Sequence, residues 1–420
     1  MAPIARTALV GAALCCAAPG RLGTGEIEAT AGRTGRPAVA SAPPAALREA
    51  RAIWHVPAEG WGRPAASGGT VWCLSKRGEV LALEADTGRR RWSQRIAPPT
   101  RAVRGSTVVH AGELIVTADE DLVALEAASG RVCWRFAPSN GDTLGPYLGA
   151  AAQELVFAGS KGGGLYAVDL ASGTLRWSVP AAAARRTTVF APVLDGDVVV
   201  AGYTTFGPPH RGGVILVDAR TGHVRWRRAF THLHTSSTTG NRPEGRDARA
   251  DLEHAPSDTT ATGVAWAGGP IVLDDAIVVA ASTGELYVMA REDGALRWVV
   301  PALPRPPIAS SFDFRPLARS EKTLLVGSLT GRLVAYDLAL RRERWTYALP
   351  GGGSVALSLV SEAGTVYVPY AGGRLVAVDV TTGAERWRTR PQDGRFVWSP
   401  AVEKGRVYVA GSNGFFAFRS

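Results

Sequence analysis

LYAVDLASGTLRW, residues 165–177, decides the reading of this chain. Leu165-Tyr166-Ala167-Val168 alternates like a half-buried β-strand, in which successive side chains face opposite sides of a sheet. Asp169 follows, then Ser172-Gly173, and glycine supplies the positive φ of a tight hairpin turn. A second short strand then ends in Trp177. The phrase recurs as LALEADTGRRRW (81–92), LVALEAASGRVCW (122–134), VILVDARTGHVRW (214–226), LYVMAREDGALRW (286–298), LVAYDLALRRERW (333–345) and LVAVDVTTGAERW (375–387). An eighth copy is split: FFAF (415–418) stands near the end of the chain, and the missing tail, Ile53-Trp54-His55, stands near its beginning.

Working outward, two further strands precede each phrase, as in FAPVLDGDVVVAG (190–202) and VWSPAVEKGRVYVAG (397–411). The unit is a four-stranded antiparallel sheet of the length of a propeller blade, and a lone blade cannot bury its faces. The prediction is an all-β, eight-bladed β-propeller over 51–420, with blades at 64–92, 105–134, 146–177, 190–226, 263–298, 312–345 and 355–387, and an eighth combining 397–419 with a closing strand from 52–56. Closure removes the free edges of an open sheet. Trp54, Trp92, Trp134, Trp177, Trp226, Trp298, Trp345 and Trp387 take one scaffold position at the seam between blades, where a large amphipathic ring suits. Trp61, Trp72, Trp266 and Trp398 fall outside the pattern and are expected to pack in core or seam. The copy at 333–345 has Ala339-Leu340-Arg341-Arg342 in place of the glycine pair, which predicts a longer or differently built turn.

The start of the chain has a basic residue, Arg6, and a small-residue apolar run from Ala8 to Ala18, the pattern of a secretory signal over 1–19. Cys15 and Cys16 close that run and offer a lipid attachment point, with ordinary cleavage near Ala18 as the alternative. Residues 20–50, rich in Gly, Ala, Pro, Thr and Arg, read as a disordered linker. A periplasmic or envelope location follows, tethered to a membrane only through lipid. Beyond the signal only Cys73 and Cys133 remain, placed too far apart for a disulfide, and no Cys-x-x-Cys supports metal or redox chemistry. The formal net charge of +10 comes from scattered arginine, with four lysines. No basic groove with interleaved aromatics appears, which argues against nucleic acid.

The phrase L-x-A-hydrophobic-D-x-x-T-G-x-x-x-W resembles the repeat of pyrroloquinoline-quinone-type β-propellers from about residue 52 to the end. That family includes quinoprotein dehydrogenases and also cofactor-free scaffolds, such as the propeller lipoprotein of the outer-membrane β-barrel assembly machine. The dehydrogenase resemblance implies a quinone held beside calcium by a Glu/Asn/Asp set, often under adjacent cysteines. Beyond the signal no matching triad or adjacent cysteine pair stands here, although Asp258 and Asp313 begin blade-entry strands that could face the channel. The scaffold resemblance implies partner binding through loops before two successive blades. Ala191-Pro192, with Arg185 and Arg186 upstream, and Asp258-Thr259-Thr260 stand in that order, although the arginines are displaced and Pro256 replaces an acidic residue. The expected function is therefore a monomeric, non-catalytic protein-binding scaffold of the envelope without cofactor. The alternatives are a quinone- and calcium-dependent oxidoreductase, and a binder of small molecules in the central channel.

Spacing between scaffold tryptophans is 38 to 49 residues except from Trp226 to Trp298, which spans 72. The excess, 227–262, contains His232, His234 and His254, and with His210 it has the composition, but not the spacing, of a zinc site. In an up-and-down blade the turn between strands two and three lies on the same face as the connection to the next blade. The long segments 204–213, 227–262 and 301–314 are thus expected to share one face as a docking surface, with His210, His232, His234, Asp258 and Asp313 among its residues.

Overall fold

The computed structural model describes residues 49–99, 105–118, 120–145, 147–182, 186–205, 211–230, 269–280, 286–300, 317–320, 323–328, 331–351, 359–370, 372–389 and 399–420, together with Val103, Val355 and Phe396. Among them there is no helix. Eight antiparallel sheets form. Their innermost strands adjoin one another in chain order, and the last, Ala401–Glu403, adjoins the first, Ala65–Ser67. The protein is an eight-bladed β-propeller.

The closing blade is built as the split phrase predicts. Trp54–Val56 pairs antiparallel with Gly414–Arg419, in the register Trp54↔Ala417, His55↔Phe416 and Val56↔Phe415. The Ile53 N–H donates to the Ala417 carbonyl at 2.7 Å, and His55 stacks on Phe416 at 4.2 Å between ring centroids. Two other blades gain a strand. Gly62–Arg63 runs parallel to the start of Gly105–His110. Glu49–Ala50 runs parallel to the outer strand Glu385–Thr389, in the register Glu49↔Arg388 and Ala50↔Thr389. Residues 49 and 50 therefore belong to the ring and not to the expected linker, because Ala50 and Ala52 have the apolar cluster of Trp387 and Phe418 to pack against.

Each of eight apolar clusters fills one seam. The seam of blades three and four, for example, joins Phe157, Leu165 and Ala167 to Val199, Ile215 and Val217. The tryptophans tie these seams in a uniform way. The indole N–H of Trp54, Trp92, Trp134, Trp177, Trp226 and Trp345 donates to the carbonyl of Ala85, Ala127, Leu170, Ala219, Arg291 and Val380 respectively, each in the turn of the next blade. Above each ring sits the turn glycine of that next blade. A Cβ at Gly130, where φ is 77°, would lie 2.6 Å from Trp92 Cε3. Only glycine fits such an approach without displacement. At the seam of blades seven and eight the Trp387 indole N–H is buried with no acceptor among the described residues. Of the other tryptophans, buried Trp72 shares the Ala127 carbonyl with Trp92, and Trp61 lies 5.2 Å beneath the Lys76 ammonium. Trp266 and Trp398 lie outside the described residues.

The glycine-less turn corrects the expectation made for it. It has the same length as the others, and Arg341 occupies the glycine position in the left-handed region, at φ 52°. Its guanidinium carbon lies 5.2 Å from the centroid of the Trp298 ring, a cation–π contact that offsets part of the conformational cost.

The acidic residue of the phrase holds the turn together. Asp218 Oδ1 accepts from both the N–H and the hydroxyl of Thr221, and Asp379 Oδ1 does the same with Thr382. Asp169 accepts from Ser172 and from Arg176, in an ion pair of 2.6 Å. All three carboxyls are held down at about 2, chiefly by the Ser172 hydroxyl for Asp169, the Thr221 N–H for Asp218 and the Arg386 guanidinium for Asp379. A carboxyl lowered in the folded state stabilises the fold above its free value of about 3.9, and the contribution is lost as pH falls through the folded value. The melting temperature should therefore drop steeply between about pH 4 and pH 2. Asp→Asn changes at the three positions together should flatten that limb in thermal melts followed by circular dichroism.

Candidate functional site

Blade four is built differently from its neighbours. Its strands Val198–Thr205 and Arg211–Asp218 are eight residues long and its outer strand Val224–Phe230 has seven, against five or six in the second and third strands of the other blades. Its inner edge is split in two. Val193–Asp195 pairs with the lower half of the second strand, and Thr187–Val189 pairs with the upper half, in the register Thr187↔Thr205, Thr188↔Thr204 and Val189↔Tyr203. The extra length lies on the face that carries the strand two–three turns and the connections between blades. Thr187, Thr188 and Val189 are β-branched or apolar and are buried, so this root of the loops is a packed element.

Two contacts hold the root. Tyr203 crosses the ladder over Gly213, where a Cβ would lie 2.0 Å from the ring, and the Tyr203 hydroxyl donates to the Arg228 carbonyl at 3.5 Å. Burial pushes the Tyr203 phenol up. On the other side the Val189 N–H donates to the Ser160 carbonyl at 2.7 Å, and Ser160 is itself fixed by Asp142. One carboxylate oxygen of Asp142 accepts from the N–H groups of Thr143 and Gly162, the other from the hydroxyls of Ser160 and Tyr166. Tyr147 then meets Phe190 edge to face at 5.6 Å. Exposed Arg186, at φ 64°, precedes the root strand, and exposed Arg227 and Arg228 flank it on the outer strand.

Blade four thus presents, on the loop-bearing face, the longest second and third strands among the described residues. The family described as outer membrane protein assembly factor BamB, a PQQ-type repeat family, matches residues 25–298, 246–361 and 342–419. The chain belongs to the BamB family. It is 23% identical to outer membrane protein assembly factor BamB of Yersinia pestis over 249 residues, 56% of this chain and 55% of that protein. With BamB of Burkholderia pseudomallei it shares 24% identity, covering 55% of this chain and 74% of the relative. Serine/threonine-protein kinase AfsK of Streptomyces griseus is 30% identical over 166 residues, and the chain spans only 20% of its length. Among solved structures, BamB from Moraxella catarrhalis superposes with a TM-score of 0.65 at 15% identity, over 88% of this chain and all of that one. Quinohemoprotein alcohol dehydrogenase from Comamonas testosteroni gives 0.60 at 15% identity, over 89% of this chain and 76% of that one. At such identities these likenesses concern the fold.

Of the residues expected at the docking surface of this BamB family member, Arg186 is placed at the root of blade four. Arg185, His210, His232, His234, Asp258 and Asp313 lie outside the described residues, as do Cys15 and Cys16. Of the three long segments, the structure shows the stems Thr204–Thr205, 211–213 and 227–230, and 301–314 lies outside the described residues. The root strand Thr187–Val189 and the Asp142 hub were not anticipated. The β-branched run Thr187-Thr188-Val189 was the available signal, and three residues are too few to register as a strand. Both remaining cysteines are free, Cys73 buried and Cys133 exposed, and burial pushes the Cys73 thiol well up. Among the described residues no three His, Cys, Asp or Glu side chains converge.

Proposed function

We propose that this chain is an exported, non-catalytic scaffold that captures a protein partner on the loop-bearing face of blades four and five, in the assembly of outer-membrane proteins. The observation that carries the reading is that the blade with the longest second and third strands among the described residues is also the blade from which the 72-residue tryptophan interval departs. Membership of the BamB family and the names borne by its relatives supply the assembly role. A rigid platform suits this task because long loops contribute less than they cost in ordering unless their ends are fixed. Exposed Arg186 favours an acidic partner surface.

Deleting 231–258 should leave the melting temperature unchanged and abolish capture of envelope proteins in a pull-down. Reversing charge at Arg186 should lower capture at low salt several-fold and have little effect at high salt. Unchanged capture by the deletion variant would refute the reading.

A quinone-dependent oxidoreductase is the second reading, favoured by the likeness to quinohemoprotein alcohol dehydrogenase. Added pyrroloquinoline quinone and calcium should yield no bound chromophore and no dye-linked alcohol oxidation. A stoichiometric chromophore would reverse the order of the two readings.

A further inference from the structure

In blade two the sheet continues one strand further toward the axis of the ring. Gly62–Arg63, from the connection between blades eight and one, pairs with the free edge of the innermost strand Gly105–His110, in the register Gly62↔Gly105 and Arg63↔Ser106. The pairing involves the first residues of that strand, so it stands at the loop-bearing end of the hollow that the eight innermost strands surround. The backbone here is clamped. Gly62 permits the approach, since a Cβ there would lie 2.8 Å from the Gly105 carbonyl oxygen and 3.2 Å from Leu74 Cβ. The Thr107 hydroxyl donates to the Arg63 carbonyl at 2.7 Å. Pro64 follows, and a residue before proline is held extended. Successive side chains of a strand face opposite ways, so with Gly62 turned to Leu74 of blade one, Arg63 turns away from that blade and into the hollow.

The Arg63 guanidinium is unlike the other arginines of the ring. Arg176, Arg291 and Arg386 meet carboxylates, and Arg135, Arg227 and Arg374 donate to carbonyls. Arg63 has neither kind of partner among the described residues. Two properties locate it. Its surface is open to water. Yet protein crowds the guanidinium closely enough to lower its pKa through lost hydration, with no carboxylate among the described residues to raise it again. A cation on the outer wall is open and fully hydrated, and one in the core is closed. Open and dehydrated together describe the wall of a central channel. A partnerless charge in such a place lowers stability, and the clamped backbone keeps it from moving out to bulk water.

We propose that Arg63 receives a carboxylate at the loop-bearing mouth of the central channel. One guanidinium offers a planar two-donor fork that matches one carboxylate. Its single positive charge is also matched by a single negative one, whereas a phosphate dianion would be left half neutralised. The carboxylate belongs to a small free acid or to an acidic side chain on a segment that enters the mouth, and these two sources are the arms of the test. The site requires neither the 227–262 loop nor calcium, and it stands apart from both readings given above.

The test uses the whole chain at low salt with a chelator present, followed through the Nε–H resonance of Arg63, which is identified by its loss in Arg63→Gln. Propionate, capped Gly-Glu-Gly, capped Gly-Gln-Gly and inorganic phosphate are titrated in turn. At least one of the two carboxylates should move the resonance saturably in the millimolar range, and the response should fade as salt is raised. The tighter of the two names the source. Gly-Gln-Gly, isosteric and uncharged, should leave the resonance unmoved. Arg63→Lys, followed on the carboxyl carbon signal of the ligand, should bind about tenfold more weakly, because an ammonium lacks the fork. Arg63→Gln should not bind, and it should melt no lower than the full chain, since it removes a dehydrated charge that holds nothing in place. A resonance unmoved by both carboxylates, an equal response to Gly-Gln-Gly, tighter binding of phosphate, or carboxylate binding retained by Arg63→Gln would each overturn the assignment.

Discussion

A chain shortened to begin at residue 57 should fail to give a soluble, cooperatively unfolding protein, whereas one that begins at Ala46 should melt as the full chain does. The shorter truncation removes only residues that form no part of the compact unit Ala46–Ser420. The longer one removes the outer strand of blade eight with its ladder to Phe415, Phe416 and Ala417, the Trp54 bond to the Ala85 carbonyl and the parallel strand Glu49–Ala50. It leaves Phe416 without His55 and lays bare a flat, apolar edge, the usual template for aggregation. Trp54 is 8% exposed, and Trp54→Ala alone should cost about 3–5 kcal/mol in urea titration. That is a large share of the roughly 5–15 kcal/mol that holds a domain folded. The full strand carries more than its tryptophan, so its removal should exceed what the ring can absorb. A soluble, cooperative 57–420 would show that blade eight closes on three strands.

The ring was legible because its signal is repeated. Each copy of the phrase compares itself with seven others, and a strand, turn, strand and tryptophan recur whatever the local noise. Closure was legible for the same reason, since FFAF lacks a tail and Trp54 lacks a head. What went unread occurs once. Glu49–Ala50 is two residues of parallel pairing with no pattern to announce it. The turn at Arg341 was expected to be longer or differently built, when the alignment of LVAYDLALRRERW with LVAVDVTTGAERW leaves no change of length and puts Arg341 at the glycine position. The seam of blades four and five was written in the same comparison: Ala290-Arg291 breaks the Asp-small pattern in plain view, and only the fold shows that the Arg291 guanidinium crosses to Asp195. The docking loops are single-copy and polar, and composition alone does not place their side chains.

Gly130→Ala should destabilise the protein by about 1.5–3.5 kcal/mol, although it adds only one methyl group to a turn. The residue sits at φ 77°, where an L side chain costs about 1–2 kcal/mol. The methyl carbon would also lie 2.6 Å from the Trp92 ring, so the indole must retreat from the Ala127 carbonyl it now reaches at 3.1 Å. Losing that bond adds about 0.5–1.5 kcal/mol. Gly112 provides the control: its φ is 83°, but nothing lies within 4 Å of a Cβ there, so Gly112→Ala should show the backbone cost alone. The natural chain contains the same experiment at Arg341. That turn carries a side chain in the left-handed region, and Trp298, beneath it, is not among the indoles bonded to the next turn. The guanidinium over the ring restores part of the loss, about 0.5–1 kcal/mol for such a contact at the surface. Arg341→Gly should thus change stability by no more than about 1 kcal/mol, the released backbone strain offsetting the lost stacking. If Gly130→Ala costs no more than Gly112→Ala in urea titration, the indole contact is slack and the glycine serves the turn alone.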